Sequence, residues 1–272
     1  MPKSRLDEIV ENKMQEVAAR KKLRSTNQLQ KAAAAVDGRF LQALHASTNS
    51  GVNLITEIKP KSPSAGVLKE HLSLEIVLQS YNKYACAISV LTDEKYFGGS
   101  LDLLAEVSAG SLVPTLCKDF IIDAHQCFEA RLHGAEAALL IVKILEPQQL
   151  SELHAIIAQL GMVPVVEVQT EQELETALTV NPQVILINNR NLTTFDVDLA
   201  TTERLAPQVP PSAVTVSASG IESRADIERL LGVCNSFLIG TSLMRAHNLD
   251  EKLAELAGVS QTSGSLSAAR NQ

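Results

Sequence analysis

The chain has 272 residues, a formal net charge of −7, four Cys, six His and no Trp. Its 45% hydrophobic and 20% charged content is that of a globular protein and excludes a disordered chain. The acidic balance argues against a general nucleic-acid binder but leaves room for a local cationic pocket that holds an anionic metabolite.

No run of 18 apolar residues occurs, so no membrane span is expected, and the charged stretch Met1 to Arg24 does not read as a signal peptide. Residues 4–44 read as helical, rich in Ala, Gln, Lys, Glu and Leu, with the only nearby Pro at position 2. Within them Lys21, Lys22 and Arg24 read as a solvated face. Residues 1–48 are therefore expected to form a helical extension packed on the remainder of the chain.

From Asn53 onward, eight short apolar runs recur at the spacing of one strand–helix unit. They are Leu54–Ile58, Ala85–Leu91, Val113–Leu116, Ala137–Val142, Val163–Val168, Val184–Ile187, Ala213–Val216 and Phe237–Ile239. Their near-continuous apolar character predicts parallel strands covered on both faces. Between them, Leu74–Tyr84, Leu101–Ser108, Ala124–His133, Pro147–Leu160, Glu171–Leu178 and Arg224–Leu231 carry helical periodicity. The pattern predicts an α/β fold, a (β/α)8 barrel of the TIM type over residues 49–257, with the N-terminal helical extension. A doubly wound sheet would usually carry G-x-G-x-x-G after its first strand, and none is present. Residues 258–272, rich in Ser, Ala and Gln, are expected to be a disordered tail.

Cys86, Cys117, Cys127 and Cys234 lie far apart without a C-x-x-C, and read as apolar packing residues with reduced thiols in a cytoplasmic protein. No His or Cys pair has metal-ligand spacing, so no metal is expected; Glu129 and Arg131, between His125 and His133, read as the solvated side of a helix.

Such a barrel carries its chemistry at the C-terminal ends of the strands. A charged residue within an apolar strand is costly unless paired or functional, and Glu57, Lys59, Lys118 and Glu167 are four such residues. A buried lysine can serve as a proton donor. The seventh run ends in Ser217-Ala218-Ser219-Gly220 and the eighth in Gly240-Thr241-Ser242, small residues suited to holding a phosphate on backbone N–H groups.

At these residues the chain resembles the indole-3-glycerol phosphate synthase family. The likeness runs through Ile55-Thr-Glu-Ile-Lys-Pro-Lys-Ser-Pro-Ser64, Ser89-Val-Leu-Thr-Asp-Glu-Lys-Tyr-Phe97 with Gly99-Ser100, and Lys118-Asp-Phe-Ile-Ile-Asp123. It continues through Val166-Glu-Val168, Ile187-Asn-Asn-Arg190, Phe195-Asp-Val-Asp198 and Ile239-Gly-Thr-Ser-Leu-Met-Arg245, spanning about residues 5 to 257. It implies ring closure of 1-(2-carboxyphenylamino)-1-deoxyribulose 5-phosphate to indole-3-glycerol phosphate with loss of CO2 and water, a carboxy-lyase step of tryptophan biosynthesis that needs no cofactor. It implies Lys118 as general acid, Lys59 holding the substrate carboxylate, Glu167 in the dehydration, and Glu57 and Asn188 orienting hydroxyls and Lys118. Ser62, Ser219, Gly220, Gly240 and Thr241 would cradle substrate and phosphate, and Phe97 and Phe120 would wall the ring. Arg190 counts among the substrate-binding candidates, though a structural ion pair is the expected role for it, Asp93 and Asp123. For Lys61 a solvated role and a substrate role are equal alternatives. The expected partners are this anionic small molecule and other tryptophan-pathway enzymes, with neither nucleic acid nor membrane.

Four positions depart from the family pattern. Ala218 stands where the family usually has Glu, Ala65 where it has Lys after S-P-S, Cys117 where Arg commonly precedes the lysine, and Asn191 where Asp follows N-N-R. Ala218 has no proton to exchange, which motivates an alternative: a catalytically weakened relative that binds a ligand or partner. A different phosphosugar-binding barrel would need its own acid/base pair, typically with a Cys near the first strand end, where none lies.

Overall fold

The computed structural model describes residues 4–46, 51–62, 66–67 and 73–259, with residues 62, 66 and 67 described through their backbone alone. All eight apolar runs form strands: β1 Asn53–Ile58, β2 Ala87–Leu91, β3 Thr115–Lys118, β4 Ala137–Ile141, β5 Val163–Val168, β6 Val184–Asn188, β7 Val214–Ala218 and β8 Ser236–Ile239. Each lies parallel to its sequence neighbours, and β1 closes the barrel against β8 through Asn53–Ser236 to Thr56–Ile239. The six periodic stretches form helices Leu74–Tyr84, Leu101–Gly110, Ala124–Leu132, Pro147–Gln159, Glu171–Leu178 and Arg224–Leu230. Asp123, Thr170 and Ser223 cap three of them, and Pro147 opens a fourth.

Strand residues alternate between two cores. Outward residues such as Ile88, Leu140, Val166, Ile185 and Phe237 pack beneath the helices. Inward residues such as Ile55, Leu116, Leu139, Val165, Leu186, Val216 and Leu238 fill the barrel. Because parallel strands are buried on both faces, the runs look uniformly apolar in sequence although their two sides serve different cores.

The N-terminal segment departs from a single helical stretch. It forms α1 (Arg5–Leu23), α2 (Thr26–Ala32) and α3 (Phe40–His45), with residues 33–39 non-helical. Ser4 and Ser25 each start a new helix with a capping box. The linker breaks from helix because its backbone is taken by the barrel: Val36 N donates to Leu160 O, and Arg39 N donates to the Glu136 carboxylate. It passes so close to Gly161 (φ +73°) that a Cβ there would lie 1.8 Å from Val36 O. The linker thereby delivers α3 to the N-terminal end of the barrel. Phe40 and Leu44 join the interior core alongside Ala87, Ala137 and Val163, the first inward residues of their strands. Asn53 at the start of β1 donates to Leu44 O at 2.7 Å.

Two other surface expectations are corrected. Glu129 is 7% exposed, not solvated, because its helix face turns toward α1, where it pairs with Arg20, and it also meets His125 of its own helix. Arg131 is likewise only partly exposed, its guanidinium donating to Ala34 O and Ala135 O. Lys21 pairs with Asp123 at 2.5 Å, while Lys22 and Arg24 are exposed. Helices Glu94–Phe97, Ala200–Leu205, Thr241–Arg245 and Leu249–Ala257 were not evident from periodicity; the first three are too short to show it. Gly258 ends the last helix in the left-handed conformation (φ +69°), and residues 260–272 lie outside the described residues.

If α3 plugs the barrel base as its packing indicates, Phe40→Ala empties a fully buried site. It is expected to destabilise the protein by about 3–5 kcal/mol in a urea denaturation series.

Candidate active site

Period-two alternation carries the eight strands to a last inward position each: Glu57, Leu91, Lys118, Ile141, Glu167, Asn188, Ala218 and, just past β8, Gly240. All eight line one cavity of about 460 Å³ at the C-terminal mouth of the barrel. The strands that look apolar in sequence thus end in a ring that is half charged or polar.

The charges are paired. Lys59 Nζ lies 2.5 Å from Glu57 Oε1, and Lys118 Nζ lies 3.4 Å from Glu167 Oε2. Asn188 Nδ2 donates to the other Glu167 oxygen at 2.9 Å, and its own Oδ1 accepts from Arg190 N. Burial alone would raise the Glu57 carboxyl, but Lys59, then Lys118 and Arg190, outweigh it and hold the group below the usual carboxylate range. The Glu57 carboxylate occupies the space beside Gly240, where a Cβ would come within 2.3 Å of Oε1. Arg190 lines the cavity with its guanidinium donating to Phe195 O, and among the described residues it makes no direct ion pair like those found for Asp93 and Asp123.

The loops after β7 and β8 present small residues. Ser219 and Gly220 follow one another in the left-handed conformation (φ +68° and +80°). For Ser219 this is uncommon, and Asn189 holds it by donating to Ser219 O and Ser217 Oγ at 3.0 Å each. Gly220 is required by packing as well, since a Cβ would meet Val197 at 2.4 Å. Thr241 opens the short helix after β8, and Ser219, Gly220, Gly240 and Thr241 all line the cavity.

The remaining wall is apolar. Phe97 and Phe120 approach to 5.9 Å between ring centroids, next to Leu91, Leu139 and Ile141. The Asp93 carboxylate caps the turn that carries Phe97, accepting from Tyr96 N at 2.8 Å. Of the expected site residues, Ser62 alone is not brought to the cavity by a described contact. Its backbone pairs with Gly66 in a short antiparallel ladder, and its side chain lies outside the described atoms. Ala65 is also outside the described residues. The Lys61 stem packs against Gly98.

Several lining residues escaped sequence reasoning. Leu192, Phe195 and Val197 reach the mouth on a loop folded back by an antiparallel bridge between Arg190 and Val197. Arg245 and Glu222 stand exposed at the rim. Leu91, Ile141 and Leu238 could have been found by extending the alternation to every run, whereas the loop and rim residues carry no local signal.

The cavity therefore offers an ammonium next to a carboxylate, a second such pair facing it, a guanidinium from Arg190, an apolar wall and a small-residue cradle. That set suits an aromatic, doubly anionic substrate and proton transfer at a carbonyl or hydroxyl.

Comparison with known proteins agrees with this chemistry. The family model described as indole-3-glycerol phosphate synthase matches residues 6–256. The indole-3-glycerol phosphate synthase of Burkholderia ambifaria (strain AMMD) is 40% identical over 255 residues, covering 92% of this chain and 98% of that protein. That of Dehalococcoides mccartyi (strain CBDB1) is 46% identical over 211 residues, covering 75% and 81%. The tryptophan biosynthesis protein TrpCF of Vibrio cholerae is 44% identical over 213 residues, covering 78% of this chain and 44% of that longer protein. Among solved structures, a tryptophan synthase alpha-subunit of Pyrococcus furiosus shares the fold, with TM-score 0.58 at 15% identity over 76% of this chain and 98% of that one. With a family model matched over nearly its whole length and relatives at 40–46% identity, the chain belongs to the indole-3-glycerol phosphate synthase family.

Proposed function

We propose that this carbon–carbon lyase of tryptophan biosynthesis acts on 1-(2-carboxyphenylamino)-1-deoxyribulose 5-phosphate through the residues assembled at the barrel mouth. The observation that carries the reading is the Lys118–Glu167–Asn188 chain, which faces the Glu57–Lys59 pair inside one cavity.

The phosphate sits on Ser219, Gly220, Gly240 and Thr241, with Ser62 contributing from the loop after β1, and Arg190 adds positive charge. The anthranilate ring lies against Phe97 and Phe120, with its carboxylate on Lys59. The ring carbon bearing the carboxylate then attacks C2′, and Lys118 protonates the carbonyl oxygen as the carbon–carbon bond forms. The carbon–carboxylate bond breaks, CO2 leaves and its electron pair restores the aromatic ring. Water is lost when the C2′ hydroxyl departs with a proton from Lys59, which the leaving carboxylate has freed, and Glu167 accepts the C1′ proton, forming the pyrrole double bond. Glu57 pairs with Lys59 and, with Asn188, orients the substrate hydroxyls and Lys118. Every proton in this scheme has a donor or acceptor within the cavity without a carboxylate at position 218, and nothing in the comparisons favours a weakened, binding-only relative.

Cytoplasmic residence is supported by four free cysteines, three of them buried, as suits a reducing compartment. Contact with other enzymes of the same pathway is proposed on the strength of the fused Vibrio relative.

Purified protein given the synthetic substrate is expected to produce indole fluorescence. Lys118→Met should lower kcat by about 10²-fold or more, the usual contribution of a general acid. Turnover at the wild-type rate in that variant would remove Lys118 from its role.

Ala218→Glu separates the two readings of position 218. If Glu167 and Glu57 suffice, kcat changes by less than about tenfold. A gain of about 10²-fold or more would mean that the chain lacks a base it needs.

A depressed Glu57 pKa means that its ionised form stabilises the native state above the ordinary carboxylate range, and that this stability is lost as pH falls through the lower native value. Urea midpoints of wild type and Glu57→Gln are therefore expected to differ most at neutral pH and to converge in acid. A constant gap down to about pH 3 would contradict the pairing.

A further inference from the structure

We propose that Lys13, far from the cavity in sequence and outside its lining, is the positioning residue for Lys118, Phe97 and Phe120. The kinetic part of the inference rests on the ring-closure reading above; the geometric part stands without it.

Two aspartates follow adjacent strands at the barrel mouth, Asp93 after β2 and Asp119 after β3. Both are buried, at 0% and 5% exposure. Left to themselves, two carboxylates at neighbouring strand ends repel and would either separate the loops or share a proton. Lys13 prevents this from α1. Its ammonium is completely buried and lies 3.0 Å from Asp93 Oδ2, 2.9 Å from Asp119 Oδ1 and 2.9 Å from Glu16 Oε2. Burial works against the charge, but Asp119 and Asp93, helped by Glu16, outweigh it and hold the lysine protonated. The neighbouring Arg20 is engaged with Glu129.

Each carboxylate that Lys13 neutralises is wired to a cavity residue. Asp119 is bonded in sequence to Lys118, accepts from Phe120 N at 2.8 Å and from Thr92 Oγ1 at 2.9 Å. Thr92 N in turn donates to Lys118 O, so the backbone on both sides of Lys118 is tied to this cluster. Asp93 caps the turn Glu94–Phe97 through Tyr96 N, and its carbonyl accepts from Gly99 N. The contact between Phe97 and Phe120 therefore joins two loops whose only buried shared counter-ion, among the described residues, comes from α1. The rest of α1 holds the same loops from outside: Tyr96 Oη donates to Glu8 O, and Lys95 donates to Asn12. The N-terminal helix thus completes the acid's surroundings rather than merely covering the barrel.

The test uses the full chain with two readouts. One is turnover; the other is the nuclear Overhauser contact between Phe97 and Phe120, accessible by selective labelling because the chain has only six Phe. Lys13→Met is expected to lower kcat by about 10- to 100-fold, the effect of misplacing a catalytic group by an ångström or less, and to abolish the ring contact in a folded protein. Lys13→Arg, which keeps the charge, is expected to retain the contact and most of the rate. Should Lys13→Met fail to fold, Lys13→Met with Asp93→Asn removes one stranded carboxylate while keeping a capping side chain at 93, and the same losses are expected. A folded variant lacking the cation that keeps the Phe97–Phe120 contact overturns the proposal whatever its rate. If the wild type itself does not turn over the substrate, the functional reading falls, and the ring contact still decides the role of Lys13.

Discussion

Charge placed inside a closed barrel has to be answered by charge. Glu57, Lys118 and Glu167 occupy inward strand positions and Lys59 follows on the same side of β1, where solvent is limited and an unpaired ion would cost several kcal/mol. They are accommodated as opposed pairs, Glu57 with Lys59 and Glu167 with Lys118, with Asn188 satisfying the second Glu167 oxygen. Much of the local architecture follows from this constraint. Gly240 must lack a side chain because the Glu57 carboxylate fills that space. Arg190, held by its own loop, adds a guanidinium to the cavity in a chain whose net charge is −7. A pocket that gathers cations at chosen points suits an anionic substrate without requiring a basic protein.

The same principle extends outward to the N-terminal arm, which acts at both ends of the barrel. At the base, α3 inserts Phe40 and Leu44 where the strands begin with small residues such as Ala87 and Ala137. At the mouth, α1 supplies the buried cation between Asp93 and Asp119. The non-helical stretch 33–39 connects the two, and its backbone hydrogen bonds to Leu160 and Glu136 explain why a composition favourable to helix gives way there. Tertiary hydrogen bonding overrides propensity, which is worth only tenths of a kcal/mol per residue.

How much of the site was legible depended on distance along the chain. Glu57, Lys118 and Glu167 stood out because a charge inside an apolar run has few innocent explanations, and alternation places Lys59 beside Glu57. Asn188, Ser219, Gly220, Gly240 and Thr241 were legible as strand ends. The role of Asn189, which holds the strained Ser219, was not, because its partners lie 28 and 30 residues away. Arg190 and Glu129 show the converse: the former was expected to favour an ion pair and binds a backbone carbonyl, and the latter was expected in solvent and faces α1.

The sequence by itself determined the class of fold, the strand order and the residue types at the reactive end. Hydrophobic periodicity is a local property, and eight strand–helix units without the glycine motif of a doubly wound sheet fit a closed barrel. Only the tertiary structure decided which charges meet, because ion pairing depends on distances between loops that closure alone brings together. Lys13 is the clearest case. In the sequence it is one lysine among several on a charged helix; in the folded protein it is wholly buried, 80 residues from Asp93 and 106 from Asp119, and no local pattern encodes that meeting.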